Sequence, residues 1–432
     1  MTIKDFQPLF ENVSPETFQM SPVINGHELQ ELISPISCEE FVNCYFARAS
    51  LNVKGTAQKF DHIFNWDRLK LALWRGEKIT DRRYNIKASF TGGEDSGNPD
   101  GMLDASHSEV PALLNAGATI CITNIHMADP FLAQWAQAIR AQLNFTGTVG
   151  VNCYVSPDGS GLPMHYDKRV ATTLQIAGSK RWKFSTESAK SWPDTNEVYQ
   201  EGKFDSVVGK PPAEMEFREV ELNPGDLLCL PAGAWHSARG IGFSLALNLY
   251  FAPRNLLDQF IPLLQKFAAS NENWRGGPPV TVEKTQGNMP QIISEYMRER
   301  IDELHKMVLE ISEEPDSLAE PWLTSLMHAP YTGWHPEPLL PISEVTTEQR
   351  FRVMPSSLRF IETQDKLILR CDSGFLDFPL SLAPLLKRLS SELEGFTISD
   401  VLSLQQDLDG TSANEVIPYL KTLYRTGILK KV

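Results

Sequence analysis

The sequence predicts a mixed α+β chain: a β-barrel of jelly-roll type, a helical segment after it, and a small winged-helix-like domain at the carboxy terminus. Three observations predict this. From Thr146 to Phe251 short apolar runs are punctuated by Gly and Pro, the pattern of a barrel or jelly roll. His165-Tyr166-Asp167 and the distant His236 can form one site only if a far strand returns beside an earlier one, which a barrel achieves. After Pro253 the apolar spacing becomes helical, and beyond Arg350 strand and helix patterns alternate. A chain of 432 residues exceeds one small core, and boundaries are expected at 1–253, 254–346 and 347–432.

The elements follow in order. Cys38–Phe46 and Asn65–Trp74 read as amphipathic helices, and 91–101 as a loop by its Gly, Asn, Asp and Pro content. From Val110 the chain predicts a short helix, a stop at Gly117 and a strand, then a helix from Asp129 to Leu143. Within the barrel, Pro224-Gly225-Asp226 reads as a tight turn and Leu227–Leu230 as a buried strand. A second turn, Pro231–Gly233, leads to Trp235-His236. Past the barrel, Leu256, Phe260, Leu264 and Phe267 recur at helical spacing. A longer stripe runs through Ile292, Tyr296, Ile301, Leu304, Val308 and Ile311; such a stripe is usually core, and here a dimer contact is its second use. Residues 313–346 carry six prolines and read as a linker. The last domain shows strands at 358–361 and 366–371, helices at 382–393 and 398–404, and a capping pattern Ser412-x-x-Glu415 before a helix ending at Gly427.

Hydrophobic content of 42% and charged content of 22% are those of a globular protein, and no segment reaches membrane-spanning length. The amino terminus lacks an apolar signal core. Cys38, Cys44, Cys121, Cys153, Cys229 and Cys371 form no Cys-x-x-Cys pair, which argues against a disulfide framework or zinc site and for a cytoplasmic protein. A net charge of −14 disfavours nucleic acid, whose phosphates need clustered Lys and Arg; it would steer a basic protein or peptide, or simply keep the chain soluble. From Arg350 to Val432 the tail holds eleven basic and ten acidic residues, and so shows no nucleic-acid-binding excess.

Chemistry concentrates in His165, Asp167 and His236. Two imidazoles and one carboxylate are the set that leaves a face of an octahedral iron open. Strand alternation puts His165 and Asp167 on one face and Tyr166 on the other. A lone His-x-Asp is usually a surface pair and a lone His a satisfied core residue, so the joint occurrence with placed Gly, Pro and Trp carries the metal reading. His27, His62, His107, His126, His305, His328 and His335 have no partner at ligand spacing and receive no chemistry.

The stretches Asn152-Cys-Tyr154-Val-Ser-Pro, His165-Tyr-Asp167, Leu174–Trp182 and Pro224–His236 together resemble the two metal motifs of the cupin superfamily, with Asp167 replacing the first motif's second histidine. That pattern is similar to the JmjC-type Fe(II)/2-oxoglutarate oxygenases, and the layout to their ribosomal-oxygenase branch, which carries a helical dimerisation segment after the barrel. The resemblance implies a double-stranded β-helix, iron held by His165, Asp167 and His236, 2-oxoglutarate as co-substrate, and O2. It implies Lys180 as the partner of the distal carboxylate; by itself Lys180 reads equally as a solvated lysine in a Gly-Ser-Lys-Arg turn. Asn152 and Tyr154, on one strand face, and Ser244 are further candidates for holding the co-substrate, or are ordinary barrel polar groups. Trp182 and Trp235 read as packing, and Arg181 should face away from Lys180. Where the family's pattern has Asp and aromatic residues after the metal motif, this chain has Lys168-Arg-Val-Ala-Thr-Thr173, a different pocket wall.

The expected function is hydroxylation of an amino-acid side chain in a peptide or protein, either a ribosomally made precursor peptide or a ribosomal protein, by a homodimer. The altered wall tilts the expectation slightly to the peptide. The tail is expected to dock the substrate or to act as a lid. The alternatives are demethylation of a protein by the same chemistry, a catalytically silent cupin scaffold, and a cupin using another metal without oxidation.

Overall fold

The computed structural model describes residues 24–90, 102–202, 204–282, 287–313, 325–326, 348–353, 360–362, 366–371, 374–389, 395–406, 413–425 and 428–431. The expected loop at 91–101, most of the Pro-rich stretch, the turn at 364–365, Ser412 and Gly427 lie outside them. Two compact units divide the chain: 1–253 with 329–358 and 384–432, and 254–328 with 359–383.

The amino-terminal part contributes helices α1 (Glu28–Ile33), α2 (Cys38–Glu40, continued by a π turn over Phe41–Tyr45), α3 (Trp66–Gly76), α4 (Val110–Asn115) and α5 (Pro130–Gln142). Each expected helix is present, with caps that explain the starts. The Asn65 side chain accepts from Arg68 N, and that of Asp129 from Leu132 N, with Pro130 in the first turn.

The barrel is built from β1 (Leu51–Val53), β2 (Asn85–Ser89), β3 (Leu103–Ala105), β4 (Thr119–Thr123), β5 (Thr148–Ser156), β6 (His165–Tyr166), β7 (Val170–Ser188), β8 (Glu197–Val198), β9 (Phe217–Leu222), β10 (Leu227–Leu230) and β11 (Ala234–Ala252). Sequence reading expects only short strands, yet β7 and β11 each run for 19 residues. Gly178 does not end β7 in a turn. It sits inside the strand at φ +60°, where a Cβ would meet Phe243 O at 2.3 Å, so only glycine fits the bend. Opposite it, the register of β11 shifts between Ile241 and Leu245, and both long strands turn a corner there.

That corner makes the barrel. The first half of β7 pairs with β10, and the second half with β9. In β11, Ser244–Ala252 pairs with β5, while His236 pairs with His165 of β6. One layer therefore runs β1-β10-β7-β11-β5-β4-β2-β3, and the other β9-β7-β11-β6-β8, all antiparallel. Leu245, Leu247, Leu249, Val151, Cys153 and Leu174 are fully or almost fully buried and join Leu132, Trp135 and Ile139 of α5 in one core.

Elsewhere in the first unit, β12 (Arg350–Val353) lies between β16 (Phe396–Thr397) and β17 (Leu429–Lys431). Helices Ile398–Gln406 and Ala413–Arg425 accompany this small sheet, and Phe351, Val401, Val416 and Leu423 are buried. The second unit holds α6 (Leu256–Ser270), α7 (Glu272–Arg275) and α8 (Gln291–Glu313), and the meander β13 (Phe360–Glu362), β14 (Lys366–Cys371), β15 (Gly374–Pro379). Trp274 donates to Glu303 Oε2 at 2.7 Å and fastens α7 to α8. No described helix is long and apolar enough to cross a membrane.

Candidate metal centre

His165 lies in β6 and His236 near the start of β11, and the two residues are direct cross-strand partners. Antiparallel pairing brings such partners to about 5 Å between Cα atoms, and the two rings sit 4.2 Å apart between centroids. Asp167 follows β6. Its carbonyl accepts from Gly233 N at 2.8 Å, which ties the triplet to the turn just before His236. Gly233 holds φ +80°, and a Cβ there would meet Lys190 O at 1.9 Å, so this turn needs its glycine. Tyr166 points the other way, as alternation requires: it is buried against Trp235, and its hydroxyl donates to Val208 O.

One ligand atom from each of His165, Asp167 and His236 lies within 4.8 Å of the others. His236 Nε2 stands 3.9 Å from Asp167 Oδ2. Both imidazoles are oriented from behind. Nδ1 of His165 lies 2.8 Å from Pro163 O, and Nδ1 of His236 lies 2.9 Å from Ala234 O. A carbonyl only accepts, so each Nδ1 carries the proton and each Nε2 keeps its lone pair for a metal. Burial, then the neighbouring His165, lower the His236 pKa to about 4 against the pull of Asp167, so it is neutral at physiological pH. Burial alone would raise the Asp167 pKa, but the Arg169 charge, with the two imidazoles beside it, holds it below the ordinary carboxylate value. Two imidazoles, each presenting Nε2, and one carboxylate fit a divalent iron.

A cavity opens on this cluster. Its wall includes Tyr154, Ser156, Thr173, Lys180, Trp182 and Asn248. Lys180 is 5% exposed, and its Nζ lies 5.6 Å from the centre of the Tyr154 ring. Burial lowers its pKa to about 8, with no ion pair among the described residues to offset it. Arg181 is exposed, as alternation requires.

The other candidates distribute differently. Tyr154 lines the cavity; Asn152, two residues earlier, is buried with its Oδ1 accepting from Asn124 N, and is not among the lining residues. Ser244 is fully buried with its Oγ unpartnered, and it is Ser156, its partner across β5 and β11, that reaches the wall. Trp235 packs, its indole N–H donating to Lys210 O. Trp182 packs too, but also lines the cavity and stacks on His236 with 5.9 Å between ring centroids. Of the expected wall stretch 168–173 only Thr173 lines the cavity, and sequence reading missed Thr119 and Asn248 as wall residues. Alternation back from Asn248 through Ala246 carries the signal, but the register that sets Thr173 opposite Asn248 is visible only in the fold.

Residues 125–258 match the family model described as JmjC domain. Over 277 residues the chain is 25% identical to the bifunctional lysine-specific demethylase and histidyl-hydroxylase NO66 of Drosophila persimilis, covering 61% of this chain and 38% of that protein. It is 26% identical over 293 residues to ribosomal oxygenase 2 of Mus musculus, covering 64% and 60%. The chain thus matches less than two thirds of the length of either. Among solved structures, the ribosomal oxygenase YcfD of Escherichia coli, in complex with cobalt and 2-oxoglutarate, aligns with a TM-score of 0.57 at 15% identity, over 92% of this chain and 98% of that one; at that identity the likeness is one of fold. With its metal cluster, its barrel and these matches, the chain carries a JmjC-domain match over residues 125–258, has a fold like that of YcfD, and is similar in sequence to the ribosomal oxygenases.

Proposed function

We propose that this chain is an Fe(II)- and 2-oxoglutarate-dependent oxygenase that hydroxylates a side chain of a protein or peptide. The observation that carries the reading is the joint placement of the His165–Asp167–His236 cluster and the buried, unpaired Lys180 on one cavity. His165, Asp167 and His236 would hold the iron, with Nε2 of each imidazole turned to it by the carbonyls of Pro163 and Ala234. Lys180 would take the distal carboxylate of 2-oxoglutarate: a buried ammonium without a counter-ion is restored to its ordinary basicity by an anion. Tyr154 beside it gives that carboxylate a second donor. Bound together, iron, 2-oxoglutarate and oxygen supply the oxidation, in which the keto acid becomes succinate and carbon dioxide and one oxygen atom passes to the substrate. Trp182 and the apolar wall exclude water from that chemistry.

The printed names of the relatives favour a ribosomal protein as the first substrate class to test, and the net charge of −14 suits a basic partner. The tail 347–432 suits a second hold on a macromolecule. A homodimer fits the helical segment. Leu256 and Leu257 of α6 and Ile301 and Val308 of α8 are 72%, 65%, 61% and 53% exposed in the single chain, an apolar surface of the kind a partner covers. Cytosolic residence fits the free thiols at Cys38, Cys44, Cys121, Cys153 and Cys229. The test is succinate release from purified protein with iron, 2-oxoglutarate and ribosomal proteins, with mass spectrometry for one added oxygen. Failure of 2-oxoglutarate to bind the metal-loaded protein in calorimetry would sink the oxygenase in favour of a silent scaffold.

A further inference from the structure

The segment between β5 and β6, residues 157–164, forms no strand, yet it helps to build the cavity wall, which Gly161 and Leu162 both line. It runs as a strap along β11, beyond the pairing of His165 with His236. Gly159 N donates to Gly240 O at 2.9 Å, and Gly240 N to Ser160 O at 2.8 Å. Next to these bonds the strap lies so close to β11 that a Cβ on Gly161 would meet Ala238 O at 1.8 Å. The carbonyls that follow each have a separate partner. Pro163 O holds Nδ1 of His165, and Met164 O accepts from Tyr199 N. Leu162 O has no backbone donor among the described residues. It accepts from Nη1 of Arg239, which also donates to Ala238 O at 2.8 Å.

An arginine at this place is costly. Arg239 is half-buried, no carboxylate pairs with it among the described residues, and its cross-strand partner on β7 is another arginine, Arg181. Like charges directly opposite one another destabilise an antiparallel pair. What offsets that cost is the tie between β11 and the strap, made one residue before the carbonyl that orients His165. We propose that Arg239 is a positioning residue of the metal centre. By tethering Leu162 O it fixes the strap, and with it the Pro163 carbonyl that sets the tautomer and direction of His165. This rests on the assignment of His165, Asp167 and His236 as metal ligands. The sign of one substitution separates this role from simple electrostatics. A positive charge near the site opposes a cation, so if only its charge mattered, removing Arg239 would tighten metal binding. A tether predicts weaker binding.

The test titrates the full chain, stripped of metal, with cobalt(II), whose visible absorption reports the ligands around it. Arg239→Met keeps an apolar stem but loses the donors and the charge. It should bind cobalt about 5-fold more weakly, somewhat less than the loss of a direct orienting partner costs, and with an altered absorption band. Arg239→Lys can still reach a carbonyl and should restore part of the affinity and the band. Arg181→Met removes the opposing charge without touching the strap, and should bind cobalt no more weakly than the unmutated chain. Nuclear magnetic resonance of the metal-free protein with labelled glycine reports on the strap alone: the Gly159 and Gly161 amide signals should broaden in Arg239→Met. Equal or tighter cobalt binding by Arg239→Met, the same loss in Arg181→Met, or unchanged Gly159 and Gly161 signals overturns the proposal. Broadened signals in Arg239→Met, with no cobalt bound by the unmutated chain, defeat the metal assignment and leave the tether standing.

Discussion

The barrel and the helical segment use apolar side chains in opposite ways. In the barrel Leu245, Leu247 and Leu249 of β11 are each 0% exposed. Along α8 Ile292, Met297, Ile301 and Leu309 stand 43–61% exposed, and only Met307 is buried. Helical periodicity is equally clean in α8 and in α5, where it faces the barrel core. Periodicity thus tells which face is apolar, not what covers it: the face of α5 is covered by the barrel, while that of α8 stands exposed among the described residues.

The largest effect should come from the metal cluster. Asp167→Ala removes the only carboxylate of the set, so metal affinity measured by titration should fall by more than the about 10–100-fold that loss of a mere orienting partner costs. Iron binding unchanged in Asp167→Ala, or in His236→Ala, would break the assignment. Next, Leu247→Ala should cost about 3 kcal/mol in chemical denaturation, because the sealed core cannot collapse around the void. Ile301→Ala should cost less than about 0.5 kcal/mol in a dilute monomer, whereas Ile301→Glu with Leu304→Glu should turn a dimer into a monomer by light scattering. Equal costs at Leu247 and Ile301 would erase the contrast between the regions.

A smaller effect concerns pH. Burial favours the neutral amine of Lys180, whose pKa is lowered to about 8, and a bound carboxylate favours the ammonium. Below about pH 8 the free site is already charged; above it, binding must take up a proton. The affinity for 2-oxoglutarate should therefore be level below pH 8 and fall above it, by at most about tenfold per pH unit. Calorimetry across that range checks the slope, and Lys180→Gln should flatten it. Smallest of all, Asn65→Ala should cost about 1 kcal/mol by removing the cap of α3.

Much of the site was legible because strand alternation is a local rule. It placed His165 with Asp167, Tyr166 opposite, and Lys180 apart from Arg181, and each stands so in the structure. What alternation could not give is register between distant strands. Asn248 as a wall residue beside Thr173, and Ser156 in place of Ser244, follow from pairings set by packing over the whole barrel. Gly178 misled for a related reason. A positive φ serves a turn and a bend within a strand equally well, and the choice was made by Phe243 on the neighbouring strand.

The cross-strand pairing of His165 with His236 carries one more consequence. β6 is two residues long and holds to the sheet only through β11 and the equally short β8. Such a strand is the sort that opens locally well before the molecule unfolds. An ion gripped from both sides of that pairing would act as a clasp, closing a long loop of chain at its narrowest point. At a hundredfold excess over its dissociation constant, an ion that binds only the closed form would stabilise it by about 2.7 kcal/mol. Amide hydrogen exchange at Tyr166 and Val198 would then slow on loading with a redox-inert metal while amides deep in β5 kept their rates, and the barrel would report its own occupancy through the stiffness of its weakest seam.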